Sequence, residues 1–265
     1  MPTGPGAEQP LALSAVITTL NEEANLPRCL ASLHGLVAEV VVVDSGSTDR
    51  TREIAVAAGA RFEFRPWPGY AAQKNAAMGC ATLAWVLSLD ADEAVSPELA
   101  RSIRERFDLG EPDVDGFRVC RLNFYLGDWI RHAWYPEWRL RLVRRDRAAW
   151  TGSGLHERLE TTGTTARLPG HLLHYSYRDL RDHLERTVRY ARLAAETYAA
   201  AGRTARWYHL ACSPWLAFGK SLILRQGWRD GWRGWVIAFA TLVKVFAKYA
   251  FLYERQRSTA GPRGS

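Results

Sequence analysis

Residues 85–93 read WVLSLDADE. The stretch runs from an apolar segment, Trp85 to Leu89, into three carboxylates in four positions: Asp90, Asp92 and Glu93. A short apolar run that ends abruptly in charge reads as a strand covered on both faces. Two earlier stretches repeat the pattern. Ala12 to Thr18 (ALSAVIT) leads into Thr18-Thr19-Leu20-Asn21-Glu22-Glu23, and Glu39 to Val43 (EVVVV) leads into Asp44-Ser45-Gly46-Ser47-Thr48-Asp49. Between them, residues 23–33 place Leu26, Leu30 and Leu33 at helical spacing, and residues 71–80 read as a second helix. Thr48 is positioned to N-cap the helix after the second strand. Strands alternating with helices predict a parallel sheet of βαβ units, whose chemistry collects at the carboxyl ends of the strands.

Beyond residue 100 the pattern changes. Residues 116–174 mix short strands with loops rich in Arg and Trp, and residues 178–201 are helical. Residues 207–224 predict another helix, 227–234 a Gly/Trp turn, and 235–253 a last apolar helix. Residues 1–10 and 257–265 read as disordered tails, 11–177 as an α/β domain, and 178–256 as a helical extension. No secretory leader is expected at the Pro/Gly-rich start, and no transmembrane helix, because no run of eighteen apolar residues occurs. Hydrophobic residues at 47% with charged residues at 24% describe a globular chain. Cys29, Cys80, Cys120 and Cys212 are scattered with no C-x-x-C pair, which argues against a zinc site or a disulfide framework. Net charge divides sharply: −6 over residues 1–100 and +13 over residues 101–265. The acidic part suits a metal cation, and the basic part suits anionic partners.

Each motif admits a chemical and a bland reading. A carboxylate such as Asp44 at a strand end accepts hydrogen bonds from a base N–H or a ribose hydroxyl, or merely shapes a turn. Lys74, in Gly69-Tyr70-Ala71-Ala72-Gln73-Lys74-Asn75, opposes the dipole of its helix. It is either a solvated lysine or a ligand for a diphosphate. Asp90, Asp92 and Glu93 repel one another unless a divalent cation, Mg²⁺ or Mn²⁺, intervenes. The alternative is an acidic lead-in to a helix starting at Ser96-Pro97-Glu98.

T-L-N-E-E, V-V-D-S-G-S-T-D, G-Y-A-A-Q-K-N and L-S-L-D-A-D-E, in this order, resemble glycosyltransferase family 2. More narrowly, they resemble its bacterial lipopolysaccharide-core β-glucosyltransferase branch. The resemblance covers roughly residues 12–255. It implies a GT-A fold, a Rossmann-like mixed sheet that takes a nucleoside-diphosphate sugar. It places Thr19, Leu20, Glu22, Asp44, Gln73, Lys74, Asn75, Asp90 and Ala91 on the donor, with Asp44 at the base, Glu22 at the ribose region and Asp92 on the metal. Tyr135-Pro136-Glu137-Trp138-Arg139 resembles the branch's Y-P-D-W segment, with Glu for Asp. Gly154-Leu155-His156-Glu157 resembles its V-H-E segment, with Leu for Val. Tyr135, Trp138, Arg139 and His156 become candidate acceptor contacts.

Inversion at a sugar carbon needs a general base to take the proton of the attacking hydroxyl. Glu157 is the candidate and Glu137 the reserve. His174 either completes the metal site with Asp92, as a late His does in some relatives, or is a structural histidine. On the last helix Arg233, Lys244, Lys248 and Arg255 fall in an arc of about 60° at 100° per residue. That basic stripe is expected either to lie on an anionic bilayer or to be a solvated edge of a packed helix. The expected activity is metal-dependent transfer from a UDP-sugar, UDP-glucose first. The acceptor would be an anionic glycolipid at the cytosolic face of the inner membrane, with no role for nucleic acid. Rival expectations are the same fold acting on polyprenyl phosphate or a peptide side chain, a nucleotidyltransferase, and a non-catalytic basic module that binds membrane or nucleic acid.

Overall fold

The structure, a computed structural model, describes residues 9–152 and 157–259. The chain forms two compact units. Of the described residues, one holds 9–121, 137–152 and 157–175, the other 122–136 and 176–259. The strands are β1 (Leu11–Thr19), β2 (Val37–Asp44), β3 (Arg61–Phe64), β4 (Trp85–Asp90), β5 (Glu93–Val95), β6 (Gly116–Tyr125), β7 (Asp128–Ile130), β8 (Glu137–Arg144), β9 (Ala148–Thr151), β10 (Arg158–Thr161) and β11 (Thr165–His174). The first unit carries the helices α1 (Leu26–Leu33), α2 (Thr51–Ala57), α3 (Tyr70–Cys80) and α4 (Pro97–Asp108). The second carries α5 (Leu180–Ala200), α6 (Trp207–Ala211), α7 (Ser213–Gly219) and α8 (Gly231–Thr259).

The main sheet runs β3-β2-β1-β4-β8-β6-β11-β5. Its first four strands are parallel, and β8 then pairs antiparallel to β4. This mixed sheet with a helical C-terminal part is the GT-A arrangement that the resemblance implied. Alternation along each strand builds two cores. Trp85, Leu87 and Leu89 of β4 face α1 and α4 with Leu26, Leu33, Leu99 and Ile103. Val86 faces the other side, with Val41, Val43, Ala77, Met78 and Trp150. The register sets Thr19 beside Asp44 and Thr18 beside Asp90, so the strand ends that carry the motifs are level.

Two strands escaped sequence reading: β3, short and exposed, and β5, hidden inside the acidic motif. β5 also bends the sheet. It lies four places from β4 in strand order, yet only Ala91 and Asp92 connect them. Four flat strand spacings would span about 19 Å, whereas three Cα–Cα steps reach about 11 Å. The sheet therefore curls, which brings Glu93 Oε2 to 3.1 Å from the Asp90 N–H. The α4 start is as expected, with Ser96 Oγ accepting from the Leu99 N–H. Thr48 does not cap α2. That helix starts at Thr51, and Thr48 donates its N–H to Asn21 instead.

In the second unit the single helix expected over 207–224 is three pieces: α6, α7 and a π-helical turn over Lys220–Leu224. Pro214, without an N–H, sits in the first turn of α7 and forces the restart. The expected turn at 227–234 is only a 3₁₀ turn over Gly227–Asp230, and α8 begins at Gly231. Gly234 lies so close to the Gly227 carbonyl that any Cβ there would collide with it. The helical stretch 227–258 is, by length and composition only, apolar enough to cross a membrane, with a mean hydropathy of 1.6 over its best window. Lys244 and Lys248 interrupt its apolar letters, which is why the sequence holds no run of eighteen apolar residues. The basic stripe of α8 is turned inward only in part: Arg233 and Lys248 are half-buried, and Lys244 and Arg255 stay exposed. Lys248 lies 4.4 Å from the Tyr198 ring on α5, and Arg233 donates to the Leu126 carbonyl and pairs with Asp128. Partial desolvation still lowers the pKa of Lys244, and Lys248 adds to that effect.

Candidate active site

The first two motifs form one structure. Asn21, with φ of 56°, accepts from the Thr48 N–H and donates its own N–H to Ser47 Oγ. The Glu22 N–H reaches Thr51 Oγ1, and the Glu23 N–H reaches Asp49. Asp44 is buried, and its carboxylate accepts from the Thr19 hydroxyl, the Ser47 hydroxyl and the N–H groups of Gly46 and Ser47. All four of its usual acceptor positions are thus taken within the protein. In this state Asp44 shapes the loop, and Gly46, at φ of 108°, makes the bend possible. Leu20 is exposed at this edge, and Glu22 accepts from the Asn25 amide.

The third motif divides by function. Gly69 takes a φ of 112° at the start of α3, and the helix carries Gln73 and Lys74 inward. Gln73 is fully buried. Its amide nitrogen donates to Ser45 Oγ at 3.1 Å, while its Oε1 has no hydrogen-bond partner. Lys74, 8% exposed, sets Nζ 2.7 Å from Asp90 Oδ1, 3.7 Å from Glu157 Oε1 and 4.3 Å from the Trp150 ring. Asn75 is otherwise employed. Its amide exchanges two 2.8 Å hydrogen bonds with the Trp150 backbone and clips α3 to β9.

Around the fourth motif the expected reason for a metal is only partly met. Charge at Asp90 and Glu93 is neutralised by the protein's own cations. Arg141 grips Glu93 at 2.8 and 3.1 Å and reaches Asp90 Oδ2 at 3.2 Å, and Arg121 lies 3.5 Å from Glu93. Burial alone would raise the Asp90 carboxyl, but Lys74 and Arg141 outweigh it and hold it well below the usual carboxylate range. The same anions hold the buried Arg141 guanidinium above its ordinary value. Asp92 stands apart from these cations. Its Oδ2 lies 3.4 Å from His174 Nε2, and both side chains are partly exposed. Ala91 between the two aspartates is buried.

One carboxylate and one imidazole would suit a Mg²⁺ or Mn²⁺ ion that drew further ligands from outside the chain. Among the described residues no group of three or more His, Cys, Asp or Glu could hold a metal by itself.

The two candidate bases differ. Glu137 is pinned by Arg121 at 2.9 Å through both oxygens and by Arg139. Burial acts to raise its pKa, yet the two arginines bring it down to about 2. Such a carboxylate is a weak proton acceptor. Glu157 has one oxygen near Lys74 and the other, Oε2, buried with no hydrogen-bond partner. Of the expected acceptor contacts, Arg139 is committed to Glu137, and Trp138 carries the Arg167 guanidinium 4.6 Å over its ring. Tyr135 belongs to the second unit, and His156 lies outside the described residues.

Sequence reasoning missed Arg121, Arg141 and Trp150. Period-two spacing was the available signal for Arg141, because positions 137, 139 and 141 share one face of β8 and read Glu, Arg, Arg.

Fold and site define an α/β protein with its charged machinery gathered at the carboxyl ends of parallel strands. The model of glycosyl transferase family 2 matches residues 14–162. This chain belongs to that family. It is similar to the lipopolysaccharide core biosynthesis glycosyltransferase LpsC of Rhizobium meliloti (strain 1021), at 33% identity over 95% of this chain and 96% of the relative. It is also similar to an uncharacterized glycosyltransferase, RP128, of Rickettsia prowazekii (strain Madrid E), at 29% identity over 89% of this chain and 84% of the relative. Among solved structures, glucosyl-3-phosphoglycerate synthase from Mycobacterium tuberculosis, in complex with Mn²⁺, UDP and phosphoglyceric acid, aligns over 43% of each chain at 28% identity and a TM-score of 0.34.

Proposed function

We propose that the protein is an inverting hexosyltransferase. It would move a sugar, glucose first among candidates, from a UDP-sugar to a membrane-held anionic glycolipid such as the lipopolysaccharide inner core. It would work at the cytosolic face of the inner membrane. The observation that carries the reading is Glu157 Oε2, a buried acceptor atom with no partner, beside the Lys74–Asp90 pair. A buried oxygen left unsatisfied costs about 1–3 kcal/mol, and an arriving hydroxyl removes that cost. Gln73 Oε1 is unpartnered in the same way and suits an N–H or hydroxyl of the donor.

In the proposed reaction Glu157 takes the proton of the acceptor hydroxyl as its oxygen bonds to the anomeric carbon. The bond from that carbon to the diphosphate breaks on the opposite face, and UDP departs with the bonding pair. Lys74 meets the diphosphate, and Asp90 holds Lys74 in place. Asp92 and His174 would hold a divalent cation, whose positive charge would favour departure of the diphosphate. The acceptor assignment draws on the likeness to LpsC and on the +13 charge of residues 101–265.

The test is UDP release from a panel of UDP-sugars with Mn²⁺, with Mg²⁺ and with EDTA, each with and without truncated lipopolysaccharide core or polyprenyl phosphate. Metal-dependent release from one donor, raised by the core acceptor, is expected. Stimulation by polyprenyl phosphate alone would reassign the acceptor. Absence of both release and donor-induced thermal shift would sink the reading.

A further inference from the structure

The second unit leaves a long apolar face uncovered. On α8, Trp232, Trp235, Phe239, Val243 and Phe246 are all exposed, and at 100° per residue they share an arc of about 80°. This arc is not the one that holds the basic stripe. The face continues onto α7, where Phe218 lies 4.9 Å from Phe239 and 6.2 Å from Trp235, and Trp215 lies 6.1 Å from Phe218. At the π-helical turn Ile223 and Leu224 stand 66% and 77% exposed.

Charge around the face is of one sign. Between the start of α7 and Gly231 the chain carries Lys220, Arg225 and Arg229 and one carboxylate, Asp230, with the next carboxylate at Glu254 near the far end of α8. The Asp230 carboxylate is consumed internally: it is 4% exposed and accepts the N–H groups of Arg131, His132 and Ala133 while pairing with the His132 ring. Lys220, Arg225 and Arg229 stay exposed among the apolar residues.

We propose that this face, built by α7, the π-helical turn and α8, seats the protein in the plane of a bilayer with anionic headgroups. Indole rings favour the depth of the headgroups, aliphatic side chains the acyl boundary, and lysine and arginine the lipid phosphates. A spanning α8 is disfavoured by its neighbour: α5 packs along α8 and exposes Arg181, Glu185 and Arg192, which would enter hydrocarbon. A second copy of this chain is disfavoured because two such faces would oppose basic residues to basic residues. The inference names the lipid-facing surface for the membrane-held acceptor proposed above, and its test reads lipid binding without any sugar transfer.

The test is flotation of the full chain with vesicles of phosphatidylcholine, alone or with 30 mol% phosphatidylglycerol. Trp215→Ser/Leu216→Ser and Ile223→Ser/Leu224→Ser are compared with Leu109→Ser, an equally exposed change in the first unit. Wild type and Leu109→Ser are expected to float with the anionic vesicles. The two double variants should lose at least tenfold in partitioning while keeping wild-type circular dichroism and UDP-release rate. Equal flotation of all four proteins would overturn the assignment. So would a wild type that stays in solution as a dimer split by the double substitutions, because the face would then belong to a second copy.

Discussion

The strand-end cluster of the first unit and the α7–α8 surface of the second handle charge in opposite ways. In the first, Lys74, Asp90, Glu93, Arg121, Glu137 and Arg141 lie in or near the protein interior, and each is matched by an opposite charge. In the second, Lys220, Arg225 and Arg229 stand exposed among uncovered indoles and aliphatic groups, and the nearby Asp230 carboxylate is consumed internally. Matched buried charge fixes the position of side chains at the expense of desolvation. Unmatched charge beside apolar surface leaves an interface unfinished. The first pattern is suited to orienting a small substrate, the second to meeting an extended anionic surface.

The sharpest way to break this contrast is Asp92→Ala. If Asp92 serves a metal and not the fold, turnover should fall by about 10³-fold or more, with the melting temperature within a few degrees of wild type. A stable, fully active variant would remove Asp92 from the chemistry. Glu157→Gln comes next. Loss of a general base predicts a drop in kcat of about 10²–10⁴-fold with little change in donor KM, and undiminished kcat would transfer the role elsewhere. Arg141→Met probes the matched cluster itself. It leaves Glu93 buried beside Asp90 without its main partner and should destabilise by about 3–5 kcal/mol in urea unfolding. A shift under 1 kcal/mol would mean that the cluster is not held by this arginine.

Acid should separate the two units. His183 is buried against Tyr125, and burial lowers its pKa to about 4 although Asp182 opposes the change. Its ordinary value in the unfolded chain is about 6.5. The unfolded chain binds the proton more readily, so this contribution is complete above about pH 6.5 and is lost as pH falls toward 4. Glu137, depressed to about 2, stabilises above an unfolded value of about 4.3 and loses that contribution as pH falls toward 2. The second unit should therefore loosen first on acidification. The readout is near-ultraviolet circular dichroism followed from pH 7 to 3. His183→Asn should flatten the upper part of the profile and Glu137→Gln the lower. A single transition unmoved by either change would contradict the division.

Much of the first unit was legible in the sequence because its strands are continuous apolar runs that end in polar letters. β1, β2, β4 and α3 lie within a residue or two of their expected places. The charged cluster at the strand ends was legible as motifs, but the employment of its members was not. Asn75 turned out to clip α3 to β9, and Arg121 and Arg141 reach Glu93 from residues 28 and 48 positions away. Pairing at that separation depends on sheet order, which local periodicity does not carry. β5 was unreadable because three residues cannot show a period, and its charges resemble the start of a helix. On α8 the wheel correctly grouped the basic residues. It carried no information about which side α5 would occupy, so Lys248, expected outward with the rest of the stripe, is found against Tyr198, while Lys244 and Arg255 stay exposed.

The connection from β4 to β5 acts as a ruler. With only Ala91 and Asp92 between Asp90 and Glu93, the length of the chain itself sets how tightly the far edge of the sheet is drawn in. The distance between the salt-bridged pair and the Asp92–His174 pair is thus metered by residue count more than by side-chain chemistry. A single glycine inserted after Asp92 would leave every named side chain present and both strands intact. It would slacken the curl and let the two halves of the site drift out of reach of one substrate.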